Sequence, residues 1–269
     1  MKRIDSTALT GVSETSLWTL RNRAVEATRP DSAFEDPLAI EVFDRIECDW
    51  GKFGKPSQSH PLRALAFDHA VWQYLATHRH ATVVALGEGL QTSYWRLGRR
   101  DVRWLSVDLE PVLRVRKSLL PHEDSVVEIA SSALDRGWMD EVDPRGGVVI
   151  TAEGLLMYFD REEALALIAD CARRFPGGHF IFDSIPMWFR NRTLDGLKMS
   201  DRYTVPPMPF AFSYSEASAL VNVMPGIGAV DDIVLPPGRG AWKSPILRRV
   251  ARMPTVRDLR PSITRLRFA

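Results

Sequence analysis

Hydrophobic positions follow two different rhythms along the 269-residue chain. Over the first eighty residues they recur at helical spacing. "SETSLWTLRNRAVEA" sets Leu17, Leu20, Ala24 and Ala27 on one face, with Ser13 as the expected N-cap. "FEDPLAIEVFDRI" and "HPLRALAFDHAVWQYLATH" read as two more helices, each with a proline (Pro37, Pro61) in its opening turn, where the missing N–H does no harm. From residue 81 the rhythm changes to short apolar runs, "TVVALG", "RWLSVD", "SVVEIA", "GVVITAEG" and "GHFIFDS", several of them apolar almost throughout. Strands look like this when helices cover both faces of a parallel sheet. Between them, "LEPVLRVRKSLL" and "REEALALIADCARRF" keep helical periodicity, and the second is stopped by "PGG" from Pro176.

Alternating strand and helix predicts an α/β fold with a doubly wound, Rossmann-like, mostly parallel sheet. The expected organisation is an N-terminal helical lid over residues 1–80 and a core over 81–269, together one structural domain. A segment rich in Pro, Met and aromatics, Asn191 to Gly228, reads as an irregular insert in that core. "DDIVLP" and "ITRLRFA" are candidates for a late hairpin at the sheet edge.

Composition narrows the function classes. The chain is 45% hydrophobic with a net charge of +1, which gives no general attraction to nucleic acid. Its two cysteines, Cys48 and Cys171, form no CxxC pair, so neither a disulfide framework nor a metal site is expected. The opening residues lack the apolar stretch of a signal peptide, and no apolar run approaches the ~18 residues that cross a bilayer. A cytoplasmic enzyme without a membrane partner is the expectation. One asymmetry stands out: Arg239, Lys243, Arg248, Arg249, Arg252, Arg257, Arg260, Arg265 and Arg267 share the last 31 residues with a single acid, Asp258. An acidic partner is one reading; a solvated helix balanced by acids elsewhere is the plainer one.

The chemistry begins at "VVALGEGLQT", Val83 to Thr92. In an open parallel sheet ligands bind beyond the carboxyl ends of the strands. Gly87 and Gly89 end the first strand where backbone must turn and approach a ligand closely. Asp108 ends the second strand, 21 positions after Gly87. An acid about 20 residues on is the usual partner of a ribose diol. A dinucleotide fingerprint would carry a third glycine where this chain has Thr92, and would not place Glu88 beside a pyrophosphate. A carboxylate suits a sulfonium and an α-amino group instead, so S-adenosyl-L-methionine fits this turn better than NAD.

Several segments then match a known group: "ETSLWTLRNRAVEATRPDSAFEDPLAIEVFDRI", "VVALGEGLQTSYWRL", "RWLSVDLEPVLRVRKSLLP", "SSALDRGWMDEV" and "AEGLLMYF", in order from residue 14 to 159, extended by "RFPGGHFIFD". The chain resembles the leucine carboxyl methyltransferase-like, tetracenomycin-type O-methyltransferases of class I, which depend on S-adenosyl-L-methionine. Beyond about residue 190 the resemblance is thin. It implies that Arg63 pairs with the cofactor's carboxylate, with Arg23 assisting. Gly87 and Gly89 give backbone approach, and Asp108 with Leu109 meets the ribose. The backbone at Ala133 and Leu134 flanks the adenine, and Glu153 faces the amine. The turn departs from the commoner "GCGLDTR" form, having Glu88, Gln91 and Ser93 for Cys, Asp and Arg, so Glu88 and Glu153 compete for the amine.

In-line methyl transfer asks an enzyme mainly to align the acceptor oxygen and exclude water. An acceptor that arrives ionised needs no base, whereas a neutral hydroxyl does. The base candidates are His60, His69, Glu153 and Tyr158, with surface or packing roles the plainer reading of both histidines. Trp188, Met199, Tyr203, Met208, Phe210 and Phe212 are a candidate apolar wall for a flat ring system, or simply core. The sequence thus points to an O-methyltransferase acting on a carboxylate or phenol of a small molecule. Carboxyl methylation of a protein C-terminus and a non-catalytic nucleotide-binding domain are the alternatives.

Overall fold

The computed structural model describes residues 3–99 and 101–269. Its centre is a seven-stranded sheet: β1 (Thr82–Leu86), β2 (Arg103–Asp108), β3 (Val126–Ala130), β4 (Val148–Ala152), β5 (His179–Ser184), β6 (Ile227–Ile233) and β7 (Ser262–Phe268). The strands lie in the order β6-β7-β5-β4-β1-β2-β3. All five strands expected from the apolar runs are present and pair in parallel. The late hairpin is present as well: β7 runs antiparallel between β5 and β6, and β6 forms the edge. β6 begins at Ile227, four residues before "DDIVLP". A bulge at Ile227–Ala229 breaks the alternation there, so the pattern hides the strand's start.

Every residue of β1 and β4 is buried. Val84, Leu86 and Ile150 pack towards α6 (Arg161–Arg174) and α8 (Tyr214–Val223). Val83, Ala85 and Val149 face the apolar side of α3 (Ser59–Thr77), from Ala66 to Leu75. Each such side chain removed from water stabilises the fold by roughly 1.5–3 kcal/mol, which is why runs without polar alternation settle here. Because most of α3 covers the sheet, the roof over the strand ends is left to α1 (Thr15–Ala27), α2 (Pro37–Arg45) and the opening turn of α3.

Helix ends follow local chemistry, with one correction. Asp36 caps α2, accepting from the Ala39 amide at 3.0 Å, and Pro37 follows as the first helical residue. Asp160 and Glu163 form a capping box on α6, which ends at Arg174 just before Pro176–Gly178. Ser13 does not cap α1 with its side chain. A preceding turn runs into the helix, so Ser13 gives its carbonyl to the amide and hydroxyl of Ser16. The insert is also less irregular than its composition suggests. It contains a small hairpin (Lys198–Ser200 with Tyr203–Thr204) and α8, whose start is fixed by the Ser213/Glu216 capping box.

The basic C-terminal residues divide between β7 and short helical turns rather than forming one helix. Several are paired, as the balanced reading expects: Arg239 with Glu26 (2.7 Å), Arg260 with Asp232 (2.5 Å), Arg265 and Arg267 with Asp231 (2.9 and 3.2 Å). Among the described residues no helix is long and apolar enough to cross a membrane.

Candidate functional site

The strand order reverses between β1 and β4, the switch point at which an open α/β sheet opens a crevice at its carboxyl edge. There a cavity of about 310 Å³ opens to solvent. That volume falls within the range of roughly 300–1,000 Å³ typical of small-molecule sites. The loops after β1, β2, β3 and β4 supply its floor, and α1 with the start of α3 its roof.

Gly87 and Gly89 both line the cavity with left-handed backbone (φ 57° and 58°). A Cβ on Gly87 would stand 2.6 Å from Leu155 Cδ1, and one on Gly89 3.1 Å from Ser16 Cβ. Only glycine fits both the turn and the space. Asp108 is held beside them: the Gly89 amide donates to Oδ2 and the Leu109 amide to Oδ1, each at 2.7 Å. Each carboxylate oxygen keeps a further acceptor position for a ligand hydroxyl. Burial pushes the Asp108 carboxyl above the ordinary range, against the pull of those amides. Leu109 lines the mouth, and Ser131, Ser132 and Ala133 line the far side. Leu134 is not brought to the cavity; it turns away to pack on the main core.

At the other end stands a charged cluster. Arg63 donates through Nε to Glu153 Oε1 (3.0 Å) and through Nη1 to Asp183 Oδ2 (2.7 Å). Its remaining nitrogen, Nη2, lies against Gly154, which has φ 68° and no room for a side chain. Gln91 Nε2 donates to the same Glu153 oxygen at 2.7 Å, and the Gly154 amide to Asp183. One guanidinium therefore faces two carboxylates, leaving the cluster one positive charge short. Burial disfavours the Arg63 charge, but Asp183 and Glu153 more than offset this and raise its pKa. Burial raises Glu153, opposed by Arg63. Glycine backbone beside a buried acid with free acceptor positions, and a cation-deficient cluster beyond it, fit a nucleoside that carries an amino-acid tail and a positive centre.

Glu88 does not compete for that tail. Its carboxylate is turned to Arg116 Nη2 (2.8 Å) and Trp104 Nε1 (3.2 Å) beneath the loop, and burial pushes its pKa up despite them. Arg23 is not brought to the cavity either. It is fully buried and spends its guanidinium on Asp36 (2.9 Å), Thr92 Oγ1 (2.9 Å) and the Leu90 carbonyl (2.6 Å). Asp36 also accepts from Thr92 (2.7 Å) and Arg96 (2.8 Å), while Arg96 reaches Asp68 on α3 at 2.7 Å. Thr92, standing where a dinucleotide site has its third glycine, thus anchors the roof to the glycine loop.

The base candidates separate in the same way. His69 lies exposed on α3, bonded to Gln73. His60 lines the cavity with its ring edge-on to Trp18 (centroids 5.1 Å apart) and its Nδ1 bonded to Asn22. Burial and then the nearby Arg63 lower its pKa to about 3, so it is neutral at working pH. Tyr158 lines the cavity as a phenol that burial holds protonated, with its pKa raised to about 12. Glu153 is committed to Arg63 and Gln91.

Of the expected aromatic wall only Met208 reaches the cavity. Phe210 and Phe212 belong to the main core, Tyr203 and Met199 pack under α1 and α2, and Trp188 is exposed. The apolar wall comes instead from Trp18, Leu155, Met157 and Phe159. Asp183, the missed member of the charged cluster, had a usable signal: an acid at the end of the fifth apolar run, as Asp108 ends the second. Asn22 and Trp18 had none, because only the packing of α1 over the loops turns them inward.

No family model matches the chain. The tetracenomycin polyketide synthesis O-methyltransferase TcmP of Streptomyces glaucescens is 29% identical over 223 residues, 81% of each chain. The S-adenosyl-L-methionine-dependent methyltransferase dpfgK of Gibberella zeae is 25% identical over 189 residues, 62% of each. Among solved structures, the plantazolicin methyltransferase BamL, in complex with a triazolic desmethylPZN analog and SAH, shares the fold. The likeness has a TM-score of 0.53 at 12% identity and covers 95% of this chain and 99% of that one. With the glycine turn, Asp108 and the switch-point cavity in place, the chain is an S-adenosyl-L-methionine-dependent methyltransferase similar to the tetracenomycin-type O-methyltransferase.

Proposed function

We propose that this enzyme methylates an oxygen that is already ionised, a carboxylate or an acidic phenol, on a small polyketide-like molecule. The bound cofactor supplies a methyl group on a cationic sulfur, a strong electrophile. In this reading Asp108 takes the ribose hydroxyls, with Leu109 beside the sugar. Gly87 and Gly89 let backbone approach, and Ala133 flanks the adenine. Arg63 takes the cofactor's carboxylate, while Glu153 with Asp183 takes its amine.

The observation that carries the choice of acceptor is the absence of a free base. The titratable side chains that line the cavity are His60, Arg63, Glu88, Asp108, Glu153 and Tyr158. Glu88 and Glu153 are ion-paired, Asp108 accepts two amides, Arg63 is a cation and Tyr158 keeps its proton. His60 has its basic nitrogen occupied by Asn22. What these residues supply is alignment and exclusion of water, which suffices for an acceptor that needs no deprotonation. The apolar wall of Trp18, Met157, Phe159 and Met208 favours a flat ring system, and the polyketide named for the Streptomyces relative supports the same class.

Transfer of labelled methyl from S-adenosyl-L-methionine to 1-hydroxy-2-naphthoate, 2-naphthol and cyclohexanol tests this reading. Turnover is expected with the naphthoate and none with cyclohexanol. Methylation of cyclohexanol would show that a base operates and overturn the proposal. Calorimetric binding of S-adenosylhomocysteine without turnover of any acceptor would favour a non-catalytic role.

A further inference from the structure

The bonds around His60 fix which of its nitrogens carries the proton. The Ser57 backbone amide is an obligatory donor and gives its hydrogen to Asn22 Oδ1 (3.2 Å). The Asn22 oxygen therefore faces Ser57 and its amide nitrogen faces His60 Nδ1. That nitrogen can only donate, so Nδ1 must accept. In a neutral ring the proton then sits on Nε2. Asn22 is buried, so water does not compete for this arrangement. Trp18 flanks the ring edge-on, and the guanidinium of Arg63, one turn along α3, disfavours a second proton on it.

Resting on the methyl-transfer reading above, we infer that His60 is a fixed hydrogen-bond donor in the acceptor site, and that the acceptor carries a second oxygen beside the one methylated. A donor bonded to the reacting oxygen would draw electron density from the nucleophile and slow the displacement. Bonded to a neighbouring oxygen, it holds the acceptor without that penalty. A carboxylate meets this requirement with its other oxygen, and a phenol meets it with an adjacent carbonyl or carboxylate. An isolated phenol does not. A site built to donate to such an oxygen discriminates against analogues that lack it, because its own N–H is left unpaired. His60 is thereby a specificity residue rather than the general base that its residue type suggests.

Two measurements on the complex with S-adenosylhomocysteine test this. In the first, long-range proton–nitrogen correlation on enzyme labelled with ¹⁵N-histidine at pH 7 should show His60 as the neutral Nε2–H tautomer. An Nδ1–H ring or an imidazolium overturns the inference, and no variant is needed. In the second, binding of 1-hydroxy-2-naphthoate and 2-naphthol is compared in the native enzyme, His60→Phe and His60→Gln. The native enzyme should prefer the naphthoate by about tenfold or more. His60→Phe should erase that preference, leaving 2-naphthol and S-adenosylhomocysteine binding within about twofold. His60→Gln, which keeps an N–H donor, should recover part of it. No preference in the native enzyme, or equal loss of both probes in His60→Phe, overturns the inference. Failure of the native enzyme to bind S-adenosylhomocysteine would instead remove the function reading beneath it.

Discussion

Two buried ion clusters lie either side of the glycine loop, and their charges add up differently. In the first, Arg23 and Arg96 meet Asp36 and Asp68: two cations, two carboxylates, a balance of zero. Three of the four side chains are 0–6% exposed, and Thr92 fills the last bonding positions around Asp36. In the second, Arg63 meets Glu153 and Asp183: one cation, two carboxylates, a balance of minus one, with Arg63 and Glu153 lining the cavity. A neutral, buried cluster offers a ligand no net charge and holds structure together. A cluster short of one positive charge and facing a cavity is completed by a ligand that brings it. Sequence patterns give Arg23 and Arg63 the same functional reading; charge counting in three dimensions separates them.

The comparison breaks most sharply at Asp36. Asp36→Ala leaves two buried guanidinium groups without a carboxylate between them and should destabilise the protein by about 3–5 kcal/mol in denaturant unfolding. The pair's charge neighbours hold the Asp36 carboxyl below its ordinary value although burial opposes them. Its stabilisation is therefore present above the unfolded pKa of about 3.9 and is lost as the pH falls through the lower folded value. A milder loss of stability between pH 5 and pH 2 in Asp36→Asn than in the native protein would confirm the sign.

Next in size, Asp108→Ala should weaken S-adenosylhomocysteine about 10- to 100-fold by calorimetry, from the loss of charge-assisted hydrogen bonds. Arg63→Lys keeps the charge but loses the two-armed geometry and should cost about tenfold in the same assay. Glu153 offers a finer test. Its raised pKa makes it neutral at a higher pH than an ordinary glutamate, so affinity for the ligand's ammonium group should fall as the pH drops through that raised value. Loss of this pH dependence in Glu153→Gln would tie it to that carboxyl. Smallest is Thr92→Val, which removes one hydroxyl from the sealed cluster. It should cost about 1 kcal/mol of stability and leave S-adenosylhomocysteine affinity unchanged. A large drop in affinity there would mean that the two clusters are not independent.

The sheet was legible because burial on both faces leaves a direct mark: runs such as "TVVAL" and "VVITA" have no polar alternation to confuse with a surface helix. Gly87, Gly89 and Asp108 were legible as cavity-lining residues because a left-handed turn and an acid closing an apolar run each mark one end of one strand. Residues that act through their neighbours were not. Arg23 lies in the N-terminal block that carries the family resemblance, yet only its distances to Asp36 and Thr92 show that it faces away from the cavity. Glu88 sits in the glycine turn, but Arg116, on the helix after β2 (Glu110–Leu119), decides where its carboxylate points. His60 was visible as a candidate base, while its protonated nitrogen is set by an amide on α1 and a backbone N–H on a loop.

The sealed cluster also bears on how molecules come and go. Swinging α1 and α2 away as a flap would part Arg23 and Asp36 from Thr92, the Leu90 carbonyl and Arg96 at once, leaving buried charges short of partners. A route between Val12 and Leu109, which both line the cavity and are both more than two-fifths exposed, would leave that cluster intact. Traffic through that gap leaves the roof standing, so a bulky side chain at position 12 would slow product escape without touching the chemistry.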